Sequence, residues 1–115
     1  MKKRKIGITG GIGSGKTTVC KIFEALGIPV YYADERAKWL MAHDDRLRAA
    51  IVEAFGPEAY TGDGSLDRAY LAGVVFGDEQ QLQRLNALVH PVVGRDAEAW
   101  HERQTDVPYT LREAA

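Results

Sequence analysis

The chain has 115 residues, enough for one domain and little more. Apolar residues make up 45% and charged residues 27%, a balance unlike that of a disordered chain, and 15 basic against 16 acidic side chains exclude the broad basic field of a nucleic-acid binder. A single cysteine, Cys20, excludes an intrachain disulfide and a cysteine-based zinc cluster.

Lys2, Lys3, Arg4 and Lys5 are the one local excess of charge and read as a solvated lead-in to a buried strand. Only Ile6 to Ile8 separate them from Thr9 and a run of glycines, too little for the roughly 7–15 apolar residues of a secretory leader. No segment approaches the roughly 20 apolar residues of a membrane span. The chain is therefore expected to be cytoplasmic, with neither membrane nor nucleic acid as a partner.

Residues 5–9 are predicted to form a short buried strand. A helix follows over about 15–26, with Val19, Ile22, Phe23 and Leu26 as its apolar face and Cys20 as a small buried side chain. Gly27 stops it, and residues 28–32 read as a second strand, with Pro29 tolerable only at its beginning. A β-loop-α-β unit of this kind makes the two strands parallel. From Asp34 the pattern turns helical: Ala33, Ala37, Leu40 and Met41 align up to about His43, with Trp39 off that face, and Leu47, Ala50, Ile51 and Ala54 align over 45–55. Gly56-Pro57 breaks the second of these helices, and Thr61-Gly62-Asp63-Gly64 is a turn cluster. Asp67 is placed to cap a helix through Phe76. Another helix starts near Asp78 with the stripe Leu82, Leu85, Leu88 and Val89, and Pro91 is predicted to break or kink it before it resumes toward Trp100. A third strand is predicted over 107–111.

Gly10-Gly11-Ile12-Gly13-Ser14-Gly15-Lys16-Thr17 satisfies G-x-x-x-x-G-K-[ST] between a predicted strand and a predicted helix. Phosphate oxygens concentrate negative charge and need several donors converging in a small volume. Glycines let the backbone curl until successive N–H groups point inward, and the following helix adds the positive end of its dipole. Gly11, Ile12, Gly13, Ser14, Gly15, Lys16, Thr17 and Thr18 are thus the candidate ATP-binding residues, with Lys16 a point charge for the β- and γ-phosphates and the Thr17 hydroxyl a ligand for Mg²⁺. A dinucleotide fingerprint counted from Gly11 fails, because its third glycine falls on Lys16. The second strand leads to Asp34 at the sheet edge that the glycine loop also occupies, where ligands of parallel sheets bind. Two readings fit that position: a base for an attacking hydroxyl, or the N-cap of the next helix.

Residues 8–19, together with Leu26-Gly27, Ala33-Asp34, Ala54-Phe55-Gly56, Asp63-Gly64-Ser65-Leu66-Asp67-Arg68, Leu71, Val75-Phe76 and Leu85-Asn86-Ala87-Leu88-Val89-His90-Pro91, resemble the dephospho-CoA kinase family. The resemblance implies an α/β fold of the P-loop NTPase type, a parallel sheet in three α/β/α layers with a mainly helical acceptor-side insertion. Residues 1–33 are then the nucleotide-binding unit, 34–104 the acceptor-side (CoA) region and 105–115 the start of a third core strand. The implied reaction moves the γ-phosphoryl of ATP, with Mg²⁺, to the 3′-hydroxyl of dephospho-CoA, the last step of coenzyme A synthesis. Asp34 and Lys16 are the catalytic residues so implied, and Thr9, Asp34, Arg68 and His90 the substrate-side candidates. Many members carry a further aspartate where this chain has Tyr32. The bland readings stand beside these: Arg68 as a surface partner of Asp67, His90 as a satisfied structural histidine beside an apolar helix face. Relatives of this kind run on past position 115, so the chain is expected to be an N-terminal portion, lacking lid arginines and inclined to self-associate through unpaired sheet edges. The rival functions are a small P-loop kinase for a nucleoside, nucleotide or sugar, and a catalytically silent ATP-binding module.

Overall fold

Two segments from the front of the chain and one from its end assemble a parallel sheet in the computed structural model, which describes residues 4–9 and 16–114. The elements are β1 (Arg4–Thr9), α1 (Lys16–Ala25), β2 (Val30–Tyr32), α2 (Ala33–His43), α3 (Asp45–Phe55), a 3-10 turn (Pro57–Ala59), α4 (Arg68–Val75), α5 (Glu79–Arg103) and β3 (Tyr109–Ala114). They divide into two compact units, one of residues 1–36 and 95–115, the other of residues 37–94.

In the first unit β3 lies between β1 and β2 and pairs with both in parallel. The two early strands therefore run parallel, as the β-loop-α-β pattern requires, but they do not touch along their length. Register places Thr9 opposite Ala114 and Tyr32 opposite Glu113, so all three strands end within a residue of one level. Central position buries β3: Thr110 and Leu111 are 3% and 1% exposed. Pro29 stands just before β2 and its carbonyl accepts the Leu111 N–H, a use that needs no N–H from the proline.

Helix α1 contacts β2 and β3, and buries Cys20 completely, as its small apolar side chain predicts. The expected apolar face is corrected, because Val19, Ile22 and Leu26 are exposed. The three-stranded sheet reaches one flank of the helix and leaves the other uncovered among the described residues.

The second unit is helical, with Leu40, Leu47, Ile51, Phe55, Ala59, Leu71, Val89 and Val93 buried. Asp44 caps α3 by accepting the Leu47 N–H at 2.9 Å, and Asp67 caps α4 by accepting the Tyr70 N–H at 3.0 Å. Gly56 ends α3 at φ 96°, where a side chain would be strained and its Cβ would meet Glu58 Oε2 at 2.5 Å. Arg48 fastens the following loop by donating to the carbonyls of Ala42 and Gly64, its guanidinium 4.4 Å from the Tyr60 ring centroid. The predicted break at Pro91 does not occur: α5 is continuous through it. The lost N–H costs one backbone bond, and burial of Val89 and Val93 on either side keeps the helix going.

Candidate functional site

The strand ends define the site. β1 finishes at Thr9 and α1 begins at Lys16, so the glycine-rich segment joins a strand's C-terminal end to a helix N-terminus. Gly11, Ile12, Gly13, Ser14 and Gly15 lie outside the described residues, as do the side chains of Thr9, Lys16 and Thr17. Thr18 is exposed on α1. Because β1 and β2 end level with adjacent residues of β3, the start of the loop and Asp34 share one edge of the sheet. At that edge the N-termini of α1 and α2 follow the ends of β1 and β2, an arrangement that suits an anionic ligand.

Asp34 is exposed in the first turn of α2, which opens at Ala33. The N-cap reading is thereby corrected, since the aspartate sits inside the helix rather than before it. A carboxylate there still interacts favourably with the helix dipole. The junction around it is anchored on both sides by one acid. Tyr31 Oη donates to Asp96 Oδ2 at 2.7 Å, and Arg36 grips the same carboxylate twice, Nε to Oδ2 at 2.9 Å and Nη2 to Oδ1 at 2.8 Å. The Arg36 guanidinium holds the Asp96 carboxyl below the ordinary carboxylate range, and burial outweighed by that bond accounts for the direction. Burial, then the hydrogen bond to Asp96, pushes the Tyr31 phenol well above its usual value. The Tyr31 ring lies 5.4 Å from that of Trp100, and Arg112 sits 5.7 Å over its centroid. Three residues before Asp34 and two after it, Tyr31 and Arg36 thus fix where α2 leaves the sheet.

These anchoring residues carry no motif, and the sequence reading passed over them. Asp96 is separated from Arg36 by 60 positions and only the fold joins them. Tyr32, where an acid was noted in similar proteins, donates its hydroxyl to Glu24, and that bond lowers the Glu24 carboxyl. Lys21 lies 5.0 Å from the Tyr32 ring centroid. Next to Tyr32 in register is Glu113, whose Oε2 is buried without a hydrogen-bond partner among the described residues.

The remaining candidates belong to the helical unit. Arg68 is exposed in the first turn of α4, while the Asp67 carboxylate serves the Tyr70 N–H. His90 is exposed. The buried histidine is His101, whose Nδ1 lies 2.7 Å from Thr110 Oγ1. Trp39 stacks on His43 at 4.5 Å between centroids. A cavity of about 40 Å³ lined by Lys5, Tyr31, Trp100, His101, Thr110 and Arg112 has room for water, not for a nucleotide. No helix among the described residues is long and apolar enough to cross a membrane.

Comparison with known proteins gives the same picture. The family model described as dephospho-CoA kinase matches residues 4–114. A dephospho-CoA kinase of Salinibacter ruber is 53% identical over 112 residues, covering 96% of this chain and 56% of the relative. One of Sodalis glossinidius is 42% identical over 106 residues, covering 92% and 50%. A crystal structure from Thermus thermophilus superposes with a TM-score of 0.80 at 38% identity, covering 99% of this chain and 56% of that one. A dephospho-CoA kinase structure from Campylobacter jejuni, 21% identical with a TM-score of 0.73, shares the fold. The chain spans about half the length of the curated relatives it matches. With a P-loop sequence between β1 and α1, a parallel sheet ending on one edge, and a family match along 4–114, the chain belongs to the dephospho-CoA kinase family.

Proposed function

We propose that this chain supplies the phosphate-binding loop, the catalytic acid-base residue and the acceptor-side helices of an enzyme that moves the γ-phosphoryl group of ATP to the 3′-hydroxyl of dephospho-CoA, in the cytoplasm. The observation that carries the reading is the shared sheet edge: the loop begins at Thr9 and Asp34 follows Tyr32, with both strand ends level. Backbone N–H groups of residues 11–15 and the N-terminus of α1 cradle the phosphates, and the Lys16 ammonium meets the β- and γ-oxygens. Asp34 accepts the proton of the ribose hydroxyl as its oxygen bonds to phosphorus and the bond from phosphorus to the ADP oxygen breaks. The anchoring of Tyr31 and Arg36 by Asp96 supports a fixed approach for that carboxylate. Arg68 and His90, both exposed, are proposed contacts of the acceptor.

Mg²⁺ is part of this proposal, and the residues fit it. The Thr17 hydroxyl would hold it, and the edge offers a buried Glu113 carboxylate oxygen with no hydrogen-bond partner among the described residues. When bound, the ion neutralises charge on the transferring phosphoryl.

Asp34→Asn tests the role of the acid. Assayed for ADP release with dephospho-CoA as acceptor, kcat should fall by about 10²–10⁴-fold while ATP affinity stays unchanged. Normal turnover with only a lower melting temperature would assign Asp34 to the helix start alone. A panel of nucleoside, nucleotide and sugar acceptors separates the rival kinases.

A further inference from the structure

We infer that Asp96 is a positioning residue for the transfer: through Tyr31 and Arg36 it fixes the direction from which Asp34 meets the acceptor hydroxyl. The inference rests on the reading of Asp34 above and adds a residue to it. β2 passes into α2 without an intervening loop, Tyr32 ending the strand and Ala33 opening the helix. Asp34 is therefore carried on the first turn of α2, exposed, next to the buried Ala33. Because it lies inside the helix, its own side chain is not a cap that would fix the heading of that turn. The heading matters to the chemistry, since a displacement of about 1 Å can cost roughly 10²-fold in rate.

The grip comes from α5. Asp96 Oδ2 accepts from Tyr31 Oη at 2.7 Å and from Arg36 Nε at 2.9 Å, and Oδ1 accepts from Arg36 Nη2 at 2.8 Å. Trp100 stands one turn further along α5, its ring 5.4 Å from that of Tyr31, so one helix face holds both the hydroxyl and the ring. Tyr31 is buried and the Asp96 side chain is only 17% exposed. Charge-assisted bonds withdrawn from water are the strong kind, and a bidentate guanidinium fixes angle as well as distance. Between the two gripped residues lie Tyr32, Ala33, Asp34 and Glu35, so the reacting carboxylate sits inside the braced segment. Only a carboxylate serves all three donors. In Asp96→Asn the amide nitrogen must face either Arg36 Nε or Arg36 Nη2, a donor in both cases.

The experiment is a double-substitution cycle on the full chain. It is read by single-turnover transfer of the radiolabelled γ-phosphoryl of ATP to dephospho-CoA, with protein in excess and below the melting transition of every variant. Asp96→Asn should slow transfer by about tenfold or more when Asp34 is present, with ATP affinity by calorimetry unchanged. In the Asp34→Asn background, already slow, the same substitution should change the rate by less than about twofold, because a carboxylate that is absent cannot be misplaced. Tyr31→Phe removes one of the three bonds and keeps the ring. It should give a smaller loss with the same dependence on Asp34, and it decides the matter if Asp96→Asn does not fold. A triad that only stabilises the fold would slow both backgrounds alike. Equal losses in the two backgrounds, or full rate in folded Asp96→Asn protein, overturn the inference and leave the reading of Asp34 standing. A parent that transfers no phosphoryl group to dephospho-CoA overturns both.

Discussion

Asp96 does the most for the site without touching its chemistry. Its carboxylate takes two bonds from Arg36 and one from Tyr31, on either side of Asp34 in the chain. Charge-assisted bonds to a bidentate guanidinium are the strong kind, and Asp96 is partly withdrawn from water. The folded-state carboxyl is lowered relative to the ordinary 3.8. Its contribution to stability is therefore present above about pH 4 and is lost as pH falls through the lower folded value. Asp96→Asn should cost about 1.5–3 kcal/mol near neutral pH and flatten the acid limb of the melting-temperature profile below about pH 4. A variant with the parent's profile would show that the triad carries no stability.

At the scale of elements, caps and turns were legible where their chemistry is local. Asp67 three residues before Tyr70, and Gly56-Pro57 after a periodic helix, needed no tertiary information. Asp67→Ala should cost about 1 kcal/mol by urea titration, whereas Arg68→Ala, at an exposed first-turn position, should change stability far less; equal losses would mean that Arg68 is a structural partner after all. What stayed hidden depends on packing between distant segments. The α1 stripe has helical periodicity, yet periodicity does not reveal whether a second surface arrives to cover it. Pro91 carries a local stop signal that packing at Val89 and Val93 overrides. His90 and His101 look alike in sequence, and only the Thr110 hydroxyl across β3 distinguishes them. The candidate edge was legible because the glycine-rich sequence is a contiguous motif. Asp96 was not, since its partners Tyr31 and Arg36 lie 60 or more positions away in the chain.

For the whole molecule, the exposed surfaces matter. β1 and β2 each have one unpaired edge in the described sheet, and Ile6, Val19, Ile22 and Leu26 are exposed beside or near them. Such edges and apolar faces invite pairing between chains. Expressed alone, residues 1–115 should self-associate in light scattering and turn over dephospho-CoA more slowly than about 1 s⁻¹, the low end for kinases, because the chain spans about half the length of the relatives it matches. A monodisperse monomer at that rate or above would sink this expectation. The central claim, that these residues build a phosphoryl-transfer site for dephospho-CoA, is tested most directly in a chimera. This chain is joined to the part of the Salinibacter ruber relative that it does not cover, and CoA formation from Mg·ATP and dephospho-CoA is measured. Expected is turnover of about 1–100 s⁻¹, lost by 10²-fold or more with Asp34→Asn. A folded chimera that binds ATP and leaves dephospho-CoA unphosphorylated would contradict it.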